Sequence, residues 1–313
     1  MASVLITGTS SGLGLATALA FARAGHTVHA TMRQPRRAPE LGEVAAAEKL
    51  PITISAMDVD SDALVKQRIE QILRESGPID GLVNNAGIER TGSVEELPLS
   101  EFRAVMETNY FGAIRCIQAL LPTMRERRNG CIINMSSVAG QIANSPLTPY
   151  SASKFALESL SESLAQEVKP FNIRVAIIQP AITDTPMSRR IEASRIPSTY
   201  PQQRRFAGFF AAILTNLVPA SVVAEKVLEI FDSGTWQLRH PAGPGAEPFL
   251  GWRKSMSDED WVNWGALDDD AWHDRVRADF GVDARPQWRL PGSSLFPQPN
   301  GFLRSPSSRT GQR

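Results

Sequence analysis

Short apolar runs alternate along the first two thirds of the chain with longer segments in which apolar residues recur at helical spacing. The runs are rich in β-branched residues and predict strands at Ser3–Thr7, Thr27–Thr31, Ile52–Met57, Gly81–Asn84, Cys131–Ser136 and Ile173–Ile178. The longer segments predict helices at Gly12–Ala24, Ser61–Glu75, Ser100–Arg128, Tyr150–Val168 and Ser221–Asp232. This alternation predicts an α/β fold, a parallel sheet covered by helices on both faces.

The pattern changes near Gly234, where Trp, Pro and Gly become frequent. Ser257–Phe280 predicts short amphipathic helices, because Trp272, Val276 and Phe280 recur at four-residue intervals. We therefore expect a main domain at 1–233, a C-terminal helical extension at 234–285 packed on the body or on a neighbouring subunit, and a disordered tail at 286–313.

Composition narrows the possible classes of protein. The chain has 313 residues, 42% of them hydrophobic, and a formal net charge of zero, which is typical of a globular protein without a nucleic-acid partner. We expect no membrane span, and a cytoplasmic location, because "MASVLITG" enters the first strand without a basic leader. Two cysteines and four scattered histidines offer no ligand spacing, so we expect no metal site.

The first strand passes into the first helix through "TGTSSGLG", Thr7 to Gly14. Gly8, Gly12 and Gly14 would let the backbone approach a ligand closely, and the helix that follows offers free N–H groups to a phosphate. The alternative is a plain tight turn. The context of strand, turn and helix favours phosphate binding.

Residues 150–154 read "YSASK", which places Tyr150 and Lys154 one turn apart on one helix face. A neighbouring ammonium favours a phenolate, so we expect Lys154 to lower the pKa of Tyr150, which would suit the pair to acid/base chemistry. By itself the pair is also compatible with an ordinary surface contact.

Five motifs occur together and in order: the glycine turn, "NNAG" at 84–87, Asn109 in a helix, "SS" at 136–137 and "YSASK". Over residues 3–185 the chain resembles the short-chain dehydrogenases/reductases. That resemblance implies a Rossmann-type doubly wound parallel sheet. It also implies an oxidoreductase that interconverts an alcohol and a ketone or aldehyde.

The resemblance implies four catalytic residues. Tyr150 would be the general acid/base, Lys154 its tuner and a ligand of the nicotinamide ribose, and Ser137 the hydroxyl that orients the substrate oxygen. Asn109 would hold a water that relays protons to Lys154. Helix capping or loop chemistry is the alternative for Ser136 and Ser137, and a backbone-paired buried amide is the alternative for Asn109.

The resemblance also implies a nicotinamide cofactor site. Its expected residues are Gly8, Ser10, Ser11, Gly12, Leu13, Gly14, Arg33, Asp58, Val59, Asn85, Ala86, Gly87, Tyr150, Lys154, Pro180, Ile182 and Thr185. The second strand ends in "HATMRQPRR" without an acidic residue, so we expect NADP(H), with Arg33 binding the 2′-phosphate. NAD(H) is the alternative.

The segment at about 186–220 matches the family's substrate lid, and Phe206, Phe209, Phe210, Ile213 and Leu217 form an apolar stripe within it. The stripe either packs on the core or faces an apolar substrate. Residues 236–256 resemble the extension of hydroxysteroid- and retinol-type members, which favours a lipophilic alcohol or ketone. Ala181 replaces a glycine usual in the family.

The resemblance further implies a homodimer or homotetramer, formed through the helices at 100–128 and 150–168. Two other functions are compatible with the motifs. One is an extended family member acting on nucleotide sugars, which the glycine spacing disfavours. The other is a cofactor-binding regulator without chemistry, which the complete set Asn109, Ser137, Tyr150 and Lys154 disfavours.

Overall fold

The computed structural model describes residues 1–193, 198–216 and 218–285. The expected tail at 286–313 and Leu217 of the predicted stripe lie outside the described residues. Seven strands form the sheet: β1 (Ser3–Thr7), β2 (Thr27–Met32), β3 (Ile52–Ala56), β4 (Gly81–Asn84), β5 (Gly130–Met135), β6 (Ile173–Pro180) and β7 (Arg239–Ala242). All pair in parallel, in the order β3-β2-β1-β4-β5-β6-β7. The predicted doubly wound parallel sheet is confirmed.

Helices cover both faces of this sheet. In the first 170 residues they are α1 (Gly12–Arg23), α2 (Glu40–Glu48), α3 (Asp62–Ser76), α4 (Leu99–Met106), α5 (Gly112–Arg127) and α6 (Thr148–Val168). Phe21 of α1 and Leu41 of α2 belong to one buried cluster, whereas Ile69 of α3 and Leu120 of α5 belong to another. The two clusters lie on opposite sides of β1, which contributes Ile6 to the first and Leu5 to the second.

Six helices follow in the rest of the described chain: α7 (Pro186–Ala193), α8 (Gln202–Ile213), α9 (Ala220–Ser233), α10 (Ala246–Lys254), α11 (Asp258–Ala266) and α12 (Asp269–Phe280). The predicted C-terminal helices are confirmed. Ser257 and Asp260 form a capping box that fixes the start of α11. Within the described parts of the chain, every helix is too short or too polar to traverse a lipid bilayer.

Three local predictions need correction. The strand β7 was not predicted, because "RHPA" contains Pro241 and lacks an apolar run; as the last strand of the sheet it tolerates a proline. The helix α2 was also missed. The predicted helix at 100–128 is interrupted by a π-helical turn at Glu107–Phe111, which contains Asn109.

Helices α10, α11 and α12 pack against α8 through aromatic rings. The ring centres of Phe209 and Phe280 lie 5.3 Å apart, and those of Trp252 and Phe280 lie 4.7 Å apart. Trp272, Val276 and Phe280, which define the predicted stripe of α12, are all buried in this cluster. The aromatic cluster attaches the C-terminal helices to the segment expected to cover the substrate.

Both cysteines are buried free thiols. Burial raises the pKa of Cys116 to about 12 and that of Cys131 to about 11. At neutral pH both sulfurs therefore stay protonated and unreactive.

Candidate active site

The glycine turn packs directly against the loop that follows β4. Gly8 has φ +70°, and a Cβ there would lie 2.6 Å from the Cα of Ala86. A Cβ at Gly14 would lie 2.3 Å from Nδ2 of Asn85. Any side chain at either position would therefore push the two loops apart, which explains why glycine is required.

Thr7 and Asn85 join these two loops by hydrogen bonds. The Nδ2 of Asn85 donates to the carbonyls of Thr7 and Gly8 at 2.9 and 3.1 Å. In return, the hydroxyl of Thr7 accepts from the main-chain N–H groups of Asn85 and Ala86, both at 3.0 Å. The side chain of Asn85 therefore fixes the glycine turn against the loop that follows β4.

A cleft of about 1020 Å³ runs from the glycine turn to Tyr150. Fifteen of the seventeen expected cofactor residues line it: Gly8, Ser10, Ser11, Gly12, Leu13, Gly14, Arg33, Asp58, Val59, Asn85, Ala86, Gly87, Tyr150, Lys154 and Thr185. Pro180 lies instead inside β6, and Ile182 lines a neighbouring pocket. The cleft's length and its glycine cradle at the start of α1 fit a dinucleotide.

The end of β2 supplies two cations to this cleft. Arg33 is exposed and lines it, as does Arg37 of the turn at Pro35–Arg37, whereas Arg36 does not. Nothing in the pattern "RQPRR" distinguishes Arg36 from Arg37. Asp60 also lines the cleft. Burial raises the pKa of its carboxyl, although the hydrogen bond that the Thr108 hydroxyl donates at 3.0 Å opposes this rise.

Tyr150 and Lys154 lie in the first turns of α6, at the inner end of the cleft. The Nζ of Lys154 donates to the carbonyl of Met135 at 2.6 Å and lies 5.5 Å from the centre of the Tyr150 ring. Burial lowers the pKa of Lys154 to about 8, although the carboxylate of Glu158 opposes this change. The ammonium is therefore held beneath the ring by a strand carbonyl.

The expectation that Lys154 lowers the pKa of Tyr150 does not hold for the protein alone. Burial raises the pKa of Tyr150 to about 12, the hydrogen bond with Ser137 opposes the rise, and the carboxylate of Glu89 adds to it. Desolvation of the phenolate therefore outweighs the effect of neighbouring groups. In this state Tyr150 is a proton donor.

Ser137 has two local roles beside its contact with Tyr150. Its Oγ accepts from the main-chain N–H of Ala139 at 3.1 Å, which caps the short turn at Val138–Gly140, and it lies 3.4 Å from the carbonyl of Pro180. Capping and contact with Tyr150 are thus compatible. The hydroxyl of Ser136 lines the cofactor cleft and, among the described residues, has no hydrogen-bond partner.

Asn109 joins three segments of the site. Its Oδ1 accepts from the N–H of Ile88 at 2.8 Å, and its Nδ2 donates to the carbonyl of Ile88 and the hydroxyl of Ser153, both at 2.9 Å. The π-helical turn aims this amide between the loop after β4 and helix α6. The backbone-paired alternative therefore describes the side chain, and a water relay stays a prediction.

One part of the site could not be found from the sequence. The carboxylate of Glu89 is 9% exposed and pairs with the guanidinium of Arg190 through two bonds of 3.0 and 3.1 Å. Glu89 lines the pocket beside Tyr150, whereas Arg190 lines the cofactor cleft. This ion pair therefore connects the cofactor cleft with the pocket beside Tyr150.

A smaller apolar pocket, of about 110 Å³, adjoins Ser137 and Tyr150 and is called here the substrate pocket. Phe206, Phe209 and Phe210 are buried and line it, so the predicted stripe both packs on the core and faces the pocket. Ala181 also lines it, at the position of the expected family glycine. In the described parts of the chain, no group of three metal-ligating side chains occurs.

A parallel sheet with a dinucleotide cleft that ends at a Ser–Tyr–Lys group defines a class of nicotinamide-dependent oxidoreductases. The family model described as short chain dehydrogenase matches residues 2–196. The chain belongs to the short-chain dehydrogenase/reductase family.

Relatives and solved structures agree with this assignment. The chain is 35% identical to the uncharacterized oxidoreductase YusZ of Bacillus subtilis over 84% of this chain and 95% of that protein. It is 41% identical to a 3-ketodihydrosphingosine reductase of Bacteroides thetaiotaomicron over 58% of this chain, and 39% identical to bovine retinol dehydrogenase 8 over 64%. These matches cover 64% and 66% of the length of the two enzymes.

Among solved structures, a short-chain dehydrogenase from Streptomyces avermitilis superposes with a TM-score of 0.72 at 32% identity. The match covers 84% of this chain and 95% of that one.

Proposed function

We propose that this protein is an NADP(H)-dependent oxidoreductase that interconverts an alcohol and a ketone or aldehyde on a lipophilic small molecule. The observation that carries the proposal is the position of Tyr150. It lines both the dinucleotide cleft and the apolar substrate pocket, so a carbonyl in the pocket would meet its hydroxyl.

Each residue of the group has a role that its contacts support. Tyr150, protonated at neutral pH, donates a proton to the carbonyl oxygen as negative charge develops there. Ser137 lines the same pocket as Tyr150 and orients the same oxygen. Lys154 lines the cleft, where it binds the ribose, and Asn109 fixes α6 against the loop after β4.

The nicotinamide cofactor, when bound, supplies or accepts the hydride. The glycine turn and the start of α1 bind its pyrophosphate, and Arg33 and Arg37 at the end of β2 favour a 2′-phosphate. NAD(H) is the alternative that direct comparison of the cofactors would decide.

The lipophilic substrate class rests on two observations. The substrate pocket is lined mainly by apolar side chains, among them Ile142, Leu147 and Phe210. Two relatives are named as a 3-ketodihydrosphingosine reductase and a retinol dehydrogenase. The first name indicates a ketone on a lipophilic molecule, and the second an alcohol on one. We propose the same general class here.

The test is the absorbance of the reduced cofactor during incubation with a panel of apolar ketones and aldehydes. We expect oxidation of NADPH with at least one apolar carbonyl compound and weaker activity with NADH. A protein that binds NADPH yet consumes none with any member of the panel would support the alternative of a cofactor-binding regulator.

We also propose a homodimer or homotetramer formed through α4, α5 and α6. Phe111 of the π-helical turn between α4 and α5 is 44% exposed, and Phe155 of α6 is 42% exposed, so both aromatic rings are available to a neighbouring subunit. The expected cytoplasmic location stays a prediction of the sequence.

A further inference from the structure

A further cavity, of about 300 Å³, lies where α8 meets α10, α11 and α12. Four tryptophans line it, Trp252, Trp261, Trp264 and Trp272, so we call it the tryptophan chamber. Phe206, Phe209 and Phe249 line both this chamber and the substrate pocket. The chamber therefore adjoins the pocket beside Tyr150, and Asn144 also lines both.

Arg205 is the single charged residue that lines the chamber within the described parts of the chain. Its side chain is only 4% exposed, and its guanidinium lies 5.7 Å from the centre of the Trp272 ring. Its Nε donates to Asp269 at 2.7 Å, but Arg204 is bonded to the same carboxylate. The carboxylate of Asp269 thus serves two guanidinium groups.

Two hydrogen-bond donors at the chamber are unused. Nη1 of Arg205 and Nε1 of Trp252 are buried and have no hydrogen-bond partner among the described residues. The other two indoles that donate are satisfied: Trp261 bonds to the carbonyl of Ala143 at 3.1 Å, and Trp264 to Asp279 at 3.2 Å. Oε1 of Gln202, which also lines the chamber, is likewise buried and has no partner among the described residues. Buried polar atoms nearly always have partners, so these unpaired atoms indicate a ligand with a polar group.

The charges of the two cavities are opposite. Glu89 is the charged residue that lines the substrate pocket, and Arg205 is its counterpart in the chamber. A carboxylate ligand therefore meets another carboxylate in the substrate pocket and a guanidinium donor in the chamber. The aromatic lining between them fits an apolar chain or ring system.

We propose that the tryptophan chamber is a distal substrate subsite. It binds the carboxylate end of an elongated apolar substrate by the guanidinium of Arg205 and the indole of Trp252, while the reacting carbonyl lies at Tyr150. This inference rests on the proposed function only in placing the reacting carbonyl at Tyr150. Binding of a carboxylate in the chamber requires no reaction and can be measured separately.

The first test uses dodecanoate and dodecanol, which share a chain length and contain no reducible carbonyl. Because four of the chain's six tryptophans line the chamber, quenching of tryptophan fluorescence reports binding there. A charge-assisted hydrogen bond corresponds to roughly a tenfold difference in affinity, so we expect dodecanoate to bind about tenfold more tightly than dodecanol. Equal affinity of the two compounds for the wild-type protein would overturn the proposal.

Matched arginine variants locate the carboxylate. Arg205→Met should remove the preference for dodecanoate, and Arg204→Met should retain it, because Arg204 shares Asp269 but does not line the chamber. Trp252→Phe keeps an aromatic ring and removes only the donor, so it tests the site even if Arg205→Met fails to fold. It should weaken dodecanoate severalfold and leave dodecanol unchanged. Loss of the preference in Arg204→Met, or its retention in both other variants, would contradict the proposal.

Turnover gives a second measurement. Oxo fatty acids of increasing length should be reduced with higher kcat/KM than their methyl esters, and the ratio should fall to about one in Arg205→Met. An inactive enzyme that still prefers dodecanoate would refute the proposed reaction but not the subsite. An active enzyme with no preference for acids over esters would refute the subsite but not the reaction.

Discussion

The ammonium of Lys154 donates a hydrogen bond of 2.6 Å to the main-chain carbonyl of Met135, the last residue of β5. The contact holds a buried cation at the carboxyl edge of the sheet, one helical turn from Tyr150. Because the ammonium has been removed from water, the folded protein binds its proton less tightly than the unfolded chain does.

This difference predicts a pH-dependent effect of Lys154→Met. The pKa falls from 10.5 to about 8 on folding, so the unfolded state binds more protons between these values, and stability rises with pH. Below about pH 8 the folded protein bears the full free-energy cost of burying the charged ammonium, about 3 kcal/mol. The variant should therefore unfold at higher urea concentration than wild type near neutral pH, and the gain should shrink as the pH rises towards 10.5. A gain that is the same at both ends of this range would contradict the assignment.

Tyr150→Phe should retain cofactor binding and lose turnover by a factor of roughly 10² to 10⁴, because only the proton donor is removed. Single-turnover reduction and fluorescence titration with NADPH measure the two quantities. Tyr200→Phe is the matched control, since Tyr200 is exposed and bonded to Glu95. More than about a tenth of wild-type activity in Tyr150→Phe would exclude the proposed mechanism.

Arg33→Asp should invert the choice of cofactor, because it removes an attraction for the 2′-phosphate and adds a repulsion. The measurement is kcat/KM with NADPH and with NADH. Arg36→Asp introduces the same charge change three residues away, outside the cleft, and should change the ratio much less. A wild type that prefers NADH, or an unchanged ratio in Arg33→Asp, would defeat the assignment.

Asn109→Ala removes three hydrogen bonds of the buried amide and leaves the main chain of Ile88 without partners. We expect a loss of about 3 kcal/mol in the free energy of unfolding, together with reduced kcat. Ser153→Ala removes only one of these contacts and should cost less. Urea denaturation gives both values, and an equal loss in the two variants would show that Asn109 does not join the segments as described.

Phe155→Glu should convert the proposed oligomer into a monomer, because it places a charge on the exposed aromatic face of α6. Val94→Glu, at a more exposed position outside these helices, should leave the mass unchanged. Light scattering at micromolar concentration measures both. A monomeric wild type would rule out the proposed assembly.

The sheet and the glycine turn could be predicted because they depend on local signals. β-branched runs define the strands, and Gly8 and Gly14 are required by backbone contacts that tolerate no side chain. The capping residues Ser61 and Ser257 likewise mark the starts of α3 and α11.

Other features depend on contacts between distant parts of the chain. Glu89 and Arg190 are 101 residues apart, and neither has a sequence signal that points to the other. The raised pKa of Tyr150 also follows from burial, which neighbouring residues in the sequence do not reveal. The last strand, β7, pairs through the four residues "RHPA", which contain no apolar run, so apolar periodicity could not detect it.

The two inert thiols make the chain well suited to site-specific labelling. Cys116 and Cys131 are buried and protonated, so a maleimide should ignore them while the protein is folded. An added cysteine would then be the sole attachment point for a probe. Val262, 67% exposed at the rim of the tryptophan chamber, offers such a position. A fluorophore on Val262→Cys would follow ligand entry in real time against a silent native background.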